Sequence, residues 1–220
     1  MRAMIRFGKQ PRLRFISHLD LQRFFQRALN RTGLPVAYTQ GFNPHLVMSF
    51  ASALALGWTS EYEILDFRLS VPMGRQRTEE AVRAALPVDL PVLEVRMVDD
   101  RHPAPMAMVC AADYAIALED APALLTAAED FWARDEVMAV RKTKSGEREI
   151  NIRPLALALV PVEGGFRARL RLTERDTLKP DLLIARLAEM AGIEPPAARI
   201  HRLCLLGEAE GGALRPLMEL

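Results

Sequence analysis

Two short runs near the amino terminus combine residues able to move protons or to read bases. Phe15-Ile16-Ser17-His18-Leu19-Asp20-Leu21 sets a histidine at the start of an amphipathic segment, and Gly41-Phe42-Asn43-Pro44-His45 sets a second one in a turn. Imidazole titrates near neutral pH, so His18 and His45 are candidates for a general acid and a general base. The plainer reading of each is a helix-cap or core histidine. In the second run Gly41 permits close backbone approach and Pro44 stiffens the turn. Phe42 offers a ring for stacking a base, and Asn43 offers hydrogen bonds to a base edge. The alternative is a simple turn with Phe42 plugged into the core. No Asp or Glu lies at ligand spacing to either histidine, so neither a metal nor a cofactor is expected.

Charge points to the same region. Residues 1–60 hold Arg2, Arg6, Lys9, Arg12, Arg14, Arg23, Arg27 and Arg31 against the single Asp20, a net +7 that leaves −6 for the remaining 160 residues of a chain whose total is +1. Arg23, Arg27 and Arg31 recur every four residues and so stack along one side of a helix. With Lys9, Arg12 and Arg14 beside them, they form a face suited to phosphate. An ordinary solvated helix face is the bland alternative. A second basic stretch, Arg141-Lys142-Thr143-Lys144-Ser145-Gly146-Glu147-Arg148, reads as a ribbon that tracks a phosphate backbone, though Glu147 and Glu149 dilute it. The competing reading is an edge hairpin defended by charge.

Several classes are excluded. The chain has no GxxxxGK[ST], no GxGxxG, no nucleophile elbow and no CxxxCxxC run. Cys110 and Cys204 sit in no CxxC pair and read as two buried thiols of a reduced, cytoplasmic protein. No apolar run approaches the ~20 residues that span a bilayer, so no membrane partner is expected, and the first residues do not read as a signal peptide.

The elements that must position these groups follow from periodicity. Residues 2–8 alternate as a strand, Ser17 caps a helix with Leu21, Phe24, Ala28 and Leu29 on its apolar stripe, and Gly33 and Pro35 end it. Residues 36–39 read as a short strand, 46–55 as a buried strand, and 61–70 as a strand with Leu65, Phe67 and Leu69 on one face. Thr78-Glu79-Glu80 opens a second helix and 91–100 is a strand. After a linker at 102–106 the order repeats. A strand (112–118) is followed by a helix (121–134), two strands around Ser145-Gly146, a third strand (166–173), a helix (179–192) with Pro180 near its start, and a closing strand (198–207). The expected fold is α+β, with two tandem ferredoxin-like βαββαβ lobes at 1–101 and 107–208 and a tail at 209–220.

The runs Phe15–Leu21 and Gly41–His45 resemble a bacterial radical-SAM-associated domain of unknown function, which occurs fused to, or encoded beside, cobalamin-binding radical-SAM-like proteins. The run Glu149-Ile150-Asn151-Ile152-Arg153-Pro154 looks like a second block of that family, with Asn151 where an Asp is expected. The resemblance spans roughly 1–206 and implies a standalone version of the domain with a radical-SAM protein as partner. At the level of fold, the element order is also similar to CRISPR-RNA-processing endoribonucleases and to pseudouridine synthases. The loop Thr39–His45 lacks the Asp that a pseudouridine synthase requires. The functional expectation is thus an RNA-binding accessory module that presents substrate to a radical-SAM enzyme. The alternatives are an RNA-processing or RNA-modifying enzyme using His18 and His45, and a protein–protein adaptor for that partner.

Overall fold

A computed structural model describes residues 1–119, 122–143 and 146–220, apart from the side chains of Lys142 and Thr143. The fold is α+β, with mostly antiparallel strands and five helices among the described residues. It divides into two compact units, 1–109 with 204–220, and 110–203.

The first unit runs β1 (Arg2–Lys9), α1 (His18–Arg31), β2 (Met48–Phe50), β3 (Thr59–Arg68), α2 (Arg75–Ala85), β4 (Val92–Val98) and α3 (Pro105–Met108). Strand β1 lies between β4 and β3, antiparallel to both, with Ile5 facing Val95 on one side and Leu65 on the other. Strand β2 pairs with the far half of β3, Phe50 facing Leu65. Because β1 is central, Ala3, Met4 and Ile5 are all buried, and the simple alternation expected for residues 2–8 is lost. Helix α1 covers this sheet with Leu21, Phe25, Ala28 and Leu29. Phe25 meets Phe7 at 4.8 Å and Phe50 at 5.6 Å between ring centroids. A fully buried ring of this kind contributes about 1.5–3 kcal/mol. Phe24, assigned above to the apolar stripe, is half-buried at its edge while Phe25 takes the core position.

Ser17 caps α1 as its position predicts. Its Oγ accepts the Asp20 backbone N–H at 3.1 Å and donates to the Asp20 carboxylate at 2.6 Å. Gly33, at φ 70°, ends the helix in the left-handed region. Four further expectations for this unit need correction. Residues 36–39 make only isolated bridges, Val36 with Leu69 and Tyr38 with Leu46. The strand expected at 46–55 shrinks to Met48–Phe50, and residues 51–58, with Gly57 at φ 86°, form the connection to β3. Helix α2 starts at Arg75, and Thr78 lies inside it with its hydroxyl turned back onto the Gly74 carbonyl. The linker at 102–106 contains the first residues of α3, with Pro105 buried.

The second unit is built from β5 (Val109–Leu118), α4 (Pro122–Ala133), β6 (Met138–Thr143), β7 (Gly146–Asn151), β8 (Ala156–Val162), β9 (Gly165–Arg171) and α5 (Pro180–Ala191). Strand β9 lies between β5 and β8, antiparallel to both. Strands β6 and β7 form a separate two-stranded hairpin. The second strand expected around Ser145-Gly146 is thus two strands, β7 and β8, broken by a 3-10 turn at Arg153–Leu155. Pro154 has no N–H for a ladder, and Asn151 stabilises the break. Its Oδ1 accepts the backbone N–H groups of Val137 and Arg153, each at 3.1 Å. Helix α5 begins with Pro180 at its first position and ends at Gly192, φ 69°.

Strand β10 (Ala198–Glu208) begins in the second unit and ends in the first. Residues 209–220, set apart above as a tail, hold β11 (Leu214–Pro216), which pairs with the end of β10. Leu217 and Met218 are buried, and the Met218 N–H donates to the Tyr62 hydroxyl at 3.1 Å.

Candidate nucleic-acid interface

Helix α1 carries the candidate surface. Its buried residues fall on one face, so Arg23, Arg27 and Arg31 are turned to solvent on another. Arg23 reaches toward the Asp20 carboxylate at 3.7 Å, with both side chains well exposed. Such a pair is worth at most about 1 kcal/mol and leaves the guanidinium open to a competing phosphate.

The loop after α1 is closed at its base and open at its tip. Thr39 N–H donates to the His45 carbonyl at 2.8 Å, and His45 N–H donates to Thr39 Oγ1 at 2.9 Å. Between them, Gly41 takes φ 131°, a conformation that favours glycine. Residues 41–45 are all exposed, and the Phe42 ring is free of the core over its whole surface. That removes the alternative in which Phe42 plugs into the interior. The Tyr38 hydroxyl donates to Asn30 Oδ1 at 2.6 Å, which places the loop base at the last turn of α1, beside Arg27 and Arg31.

The other end of the helix gathers a different set. A 3-10 turn over Pro11–Leu13 follows β1. Arg12 is almost fully exposed, 3.9 Å from the Asp89 carboxylate. The Arg14 guanidinium lies 4.4 Å from the centroid of the Phe15 ring, which is itself exposed. Sequence reasoning did not single out Phe15 as part of the surface, although an Arg–aromatic neighbour pair before a helix cap was the available signal. Lys9, by contrast, does not belong to the phosphate-facing set. It is 1% exposed, and its ammonium donates to the carbonyls of Ile16 (2.8 Å) and Arg14 (3.2 Å). Burial lowers its pKa, with buried Glu63 acting against that shift. Its role is to tie the 3-10 turn to β1.

The two histidines sit on different elements. The His18 ring is half-buried and meets Phe50 edge-on at 5.1 Å. His45 belongs to the loop held at Asn30, twelve residues further along α1. At 1.5 Å of rise per residue, His18 and Asn30 stand ~18 Å apart along the helix axis. Asn43 is exposed in the same loop.

In the second unit, Arg141 stands directly across β6–β7 from Arg148. Its guanidinium also donates to the Thr177 carbonyl. The Lys142 side chain and Lys144, assigned above to the same basic ribbon, lie outside the described residues. Neither Cys110 nor Cys204 is in a disulfide, and both are half-buried rather than fully buried. Among the described residues no group of three or more His, Cys, Asp or Glu is arranged to hold a metal ion, and no helix is long and apolar enough to cross a membrane.

Fold and surface together define an α+β protein with an arginine-striped helix that ends beside an exposed aromatic loop. The chain belongs to the bacterial family described as "Uncharacterized protein conserved in bacteria" (DUF2344), whose model matches residues 2–181. That match takes in α1, the Gly41–His45 loop and the β6–β7 hairpin, and it stops in the first turn of α5. No curated protein matches the chain.

Proposed function

We propose that this protein is an RNA-binding accessory module that presents its substrate to a radical-SAM partner enzyme. The observation that carries the RNA reading is the row of exposed Arg23, Arg27 and Arg31 leading to the exposed Phe42. Arginines along a helix match phosphates spaced along a strand, and a solvent-facing ring beside them supplies a stacking platform. An unpaired loop of a folded RNA, whose bases can splay outward, is the target such a surface suits. The radical-SAM partner rests on the resemblance of Phe15–Leu21 and Gly41–His45 to the radical-SAM-associated domain. Two ferredoxin-like lobes are the architecture assumed. Their support is the placement of β1 between β4 and β3 in one unit and of β9 between β5 and β8 in the other.

The test is binding of a structured RNA at low and at moderate salt. With the three α1 arginines each neutralising one phosphate, changing them together to Ala lowers the slope of log K against log[salt] by about 2 to 3. Affinity that is absent at low salt, or indifferent to salt, sinks the RNA reading.

A protein–protein adaptor is the second reading. It is favoured by the exposed apolar residues Phe15, Ile16 and Leu19 at the start of α1. A complex with the partner enzyme that survives nuclease treatment, and is lost in Phe15→Ala with Leu19→Ala, selects it over RNA bridging.

A further inference from the structure

We propose that the second unit holds a site for a nucleotide-sized phosphorylated ligand, in the cleft between the β6–β7 hairpin and the turn after β9. This goes beyond the RNA reading, which rests on α1. The cleft has a volume of about 660 Å³, within the usual range for small-molecule sites. Arg141, Arg148, Arg171 and Arg175 line it against the carboxylates of Glu149 and Asp176, a balance of +2 among the described residues.

The arrangement of the arginines is the main argument. Arg141 and Arg148 are directly opposed across an antiparallel pair, which sets their Cβ atoms about 4.5–5.5 Å apart. Two like charges in that register repel, and a phosphate bound by both turns the repulsion into attraction. Arg141 is already oriented, because one of its amino groups donates to the Thr177 carbonyl. Arg175 is carried by a tight turn in which Asp176 N–H donates to Thr173 Oγ1 at 2.8 Å and Thr173 N–H to the Asp176 carbonyl at 3.1 Å. The bonds from Val137 and Arg153 to Asn151 fix the wall between β7 and β8. The same cleft presents the apolar side chains of Ile150, Pro154 and Leu155, which suit a sugar or base better than free phosphate alone.

Calorimetric titration of the whole chain with ATP, tripolyphosphate, adenosine and a short single-stranded RNA tests the proposal. ATP and tripolyphosphate are expected to bind, with adenosine at least about tenfold weaker. Arg148→Ala and Arg175→Ala are each expected to weaken ATP by about tenfold or more. Both residues are exposed, so their melting temperatures should match the parent, and Arg148→Lys should recover part of the loss. Changing Arg23, Arg27 and Arg31 to Ala should leave ATP binding unchanged, which separates this site from the α1 surface. Equal affinity for adenosine and ATP, absence of ATP binding, or ATP affinity unchanged in both Ala variants overturns it. So does an effect of Arg148→Ala on the RNA alone, which would assign the cleft's phosphates to a nucleic-acid backbone.

Discussion

The Tyr38 hydroxyl donates to the side-chain oxygen of Asn30 at 2.6 Å, across the gap between the last turn of α1 and the strap that leads into the Gly41–His45 loop. One hydrogen bond therefore couples the arginine row to the aromatic loop. Tyr38→Phe keeps the ring and removes the donor. The bond is exposed, so the expected loss of stability is about 1 kcal/mol or less. The loop keeps its backbone bonds but loses its side-chain tie to α1, and RNA affinity is expected to fall severalfold. Denaturant melts and RNA titration of the same sample separate the two effects.

Phe42→Ala isolates stacking. The ring touches no core residue, so the melting temperature should not move. If the ring stacks a base, affinity for RNA drops by about 1–3 kcal/mol without a change in salt slope, because no phosphate contact is removed. An unchanged affinity removes Phe42 from the interface.

These two positions show what was readable from the residues and what was not. The Ser17 cap, the Gly33 stop and the four-residue spacing of arginines are local signals, and α1 follows them. Lys9 misled because charge counting treats every lysine as a surface cation. Only the fold brings the Ile16 and Arg14 carbonyls round to its ammonium. His18 starts α1 and His45 belongs to the loop whose Tyr38 base is tied to its last turn, a placement that their spacing in sequence does not give. The break between β7 and β8 was legible in hindsight at Pro154, but it needs Asn151 to receive two N–H groups that come from different parts of the chain.

Tyr62 gives the first unit an alkaline weakness. Burial is the largest cause that pushes its phenol up to about 12 from the ordinary 10, outweighing the Met218 N–H that favours the phenolate. The folded chain therefore keeps a proton that the unfolded chain releases above pH 10. Stability from this group is fully present below that value and is lost as pH rises toward about 12, by an amount on the order of 2–3 kcal/mol. Tyr62→Phe should be less stable near neutral pH, where the Met218 N–H loses its acceptor. Its stability should fall less between about pH 9 and about pH 11.5. Parallel urea melts that show the same decline in both proteins would refute this account.

Gly165 and Gly164 form a matched contrast at the β8–β9 connection. A Cβ at Gly165 would come within 1.9 Å of the Ile116 carbonyl oxygen, at φ +154°. Backbone cannot yield that much, so Gly165→Ala should cost at least about 3 kcal/mol or prevent folding. Gly164 has φ +72° and open space around it. Gly164→Ala should cost only the left-handed strain, about 1–2 kcal/mol. Chemical denaturation of both variants checks the order.

Asn151 separates a structural demand from a charge demand. Its Oδ1 accepts from Val137 N–H and Arg153 N–H at 3.1 Å each, and Val137 is buried. An acceptor oxygen is all the break between β7 and β8 needs, and a carboxylate offers one as readily as an amide. That explains how an Asn can stand where the resemblance leads one to expect an Asp. Asn151→Ala leaves two N–H groups without an acceptor, one of them on a buried residue, and should cost about 1–3 kcal/mol. Asn151→Asp should be nearly neutral in stability at pH 7. It also lines the arginine cleft, where a new negative charge should weaken ATP binding while the fold stays intact. If Asn151→Asp destabilises as much as Asn151→Ala, the position depends on the amide N–H₂ rather than on the oxygen, and this explanation of the substitution fails.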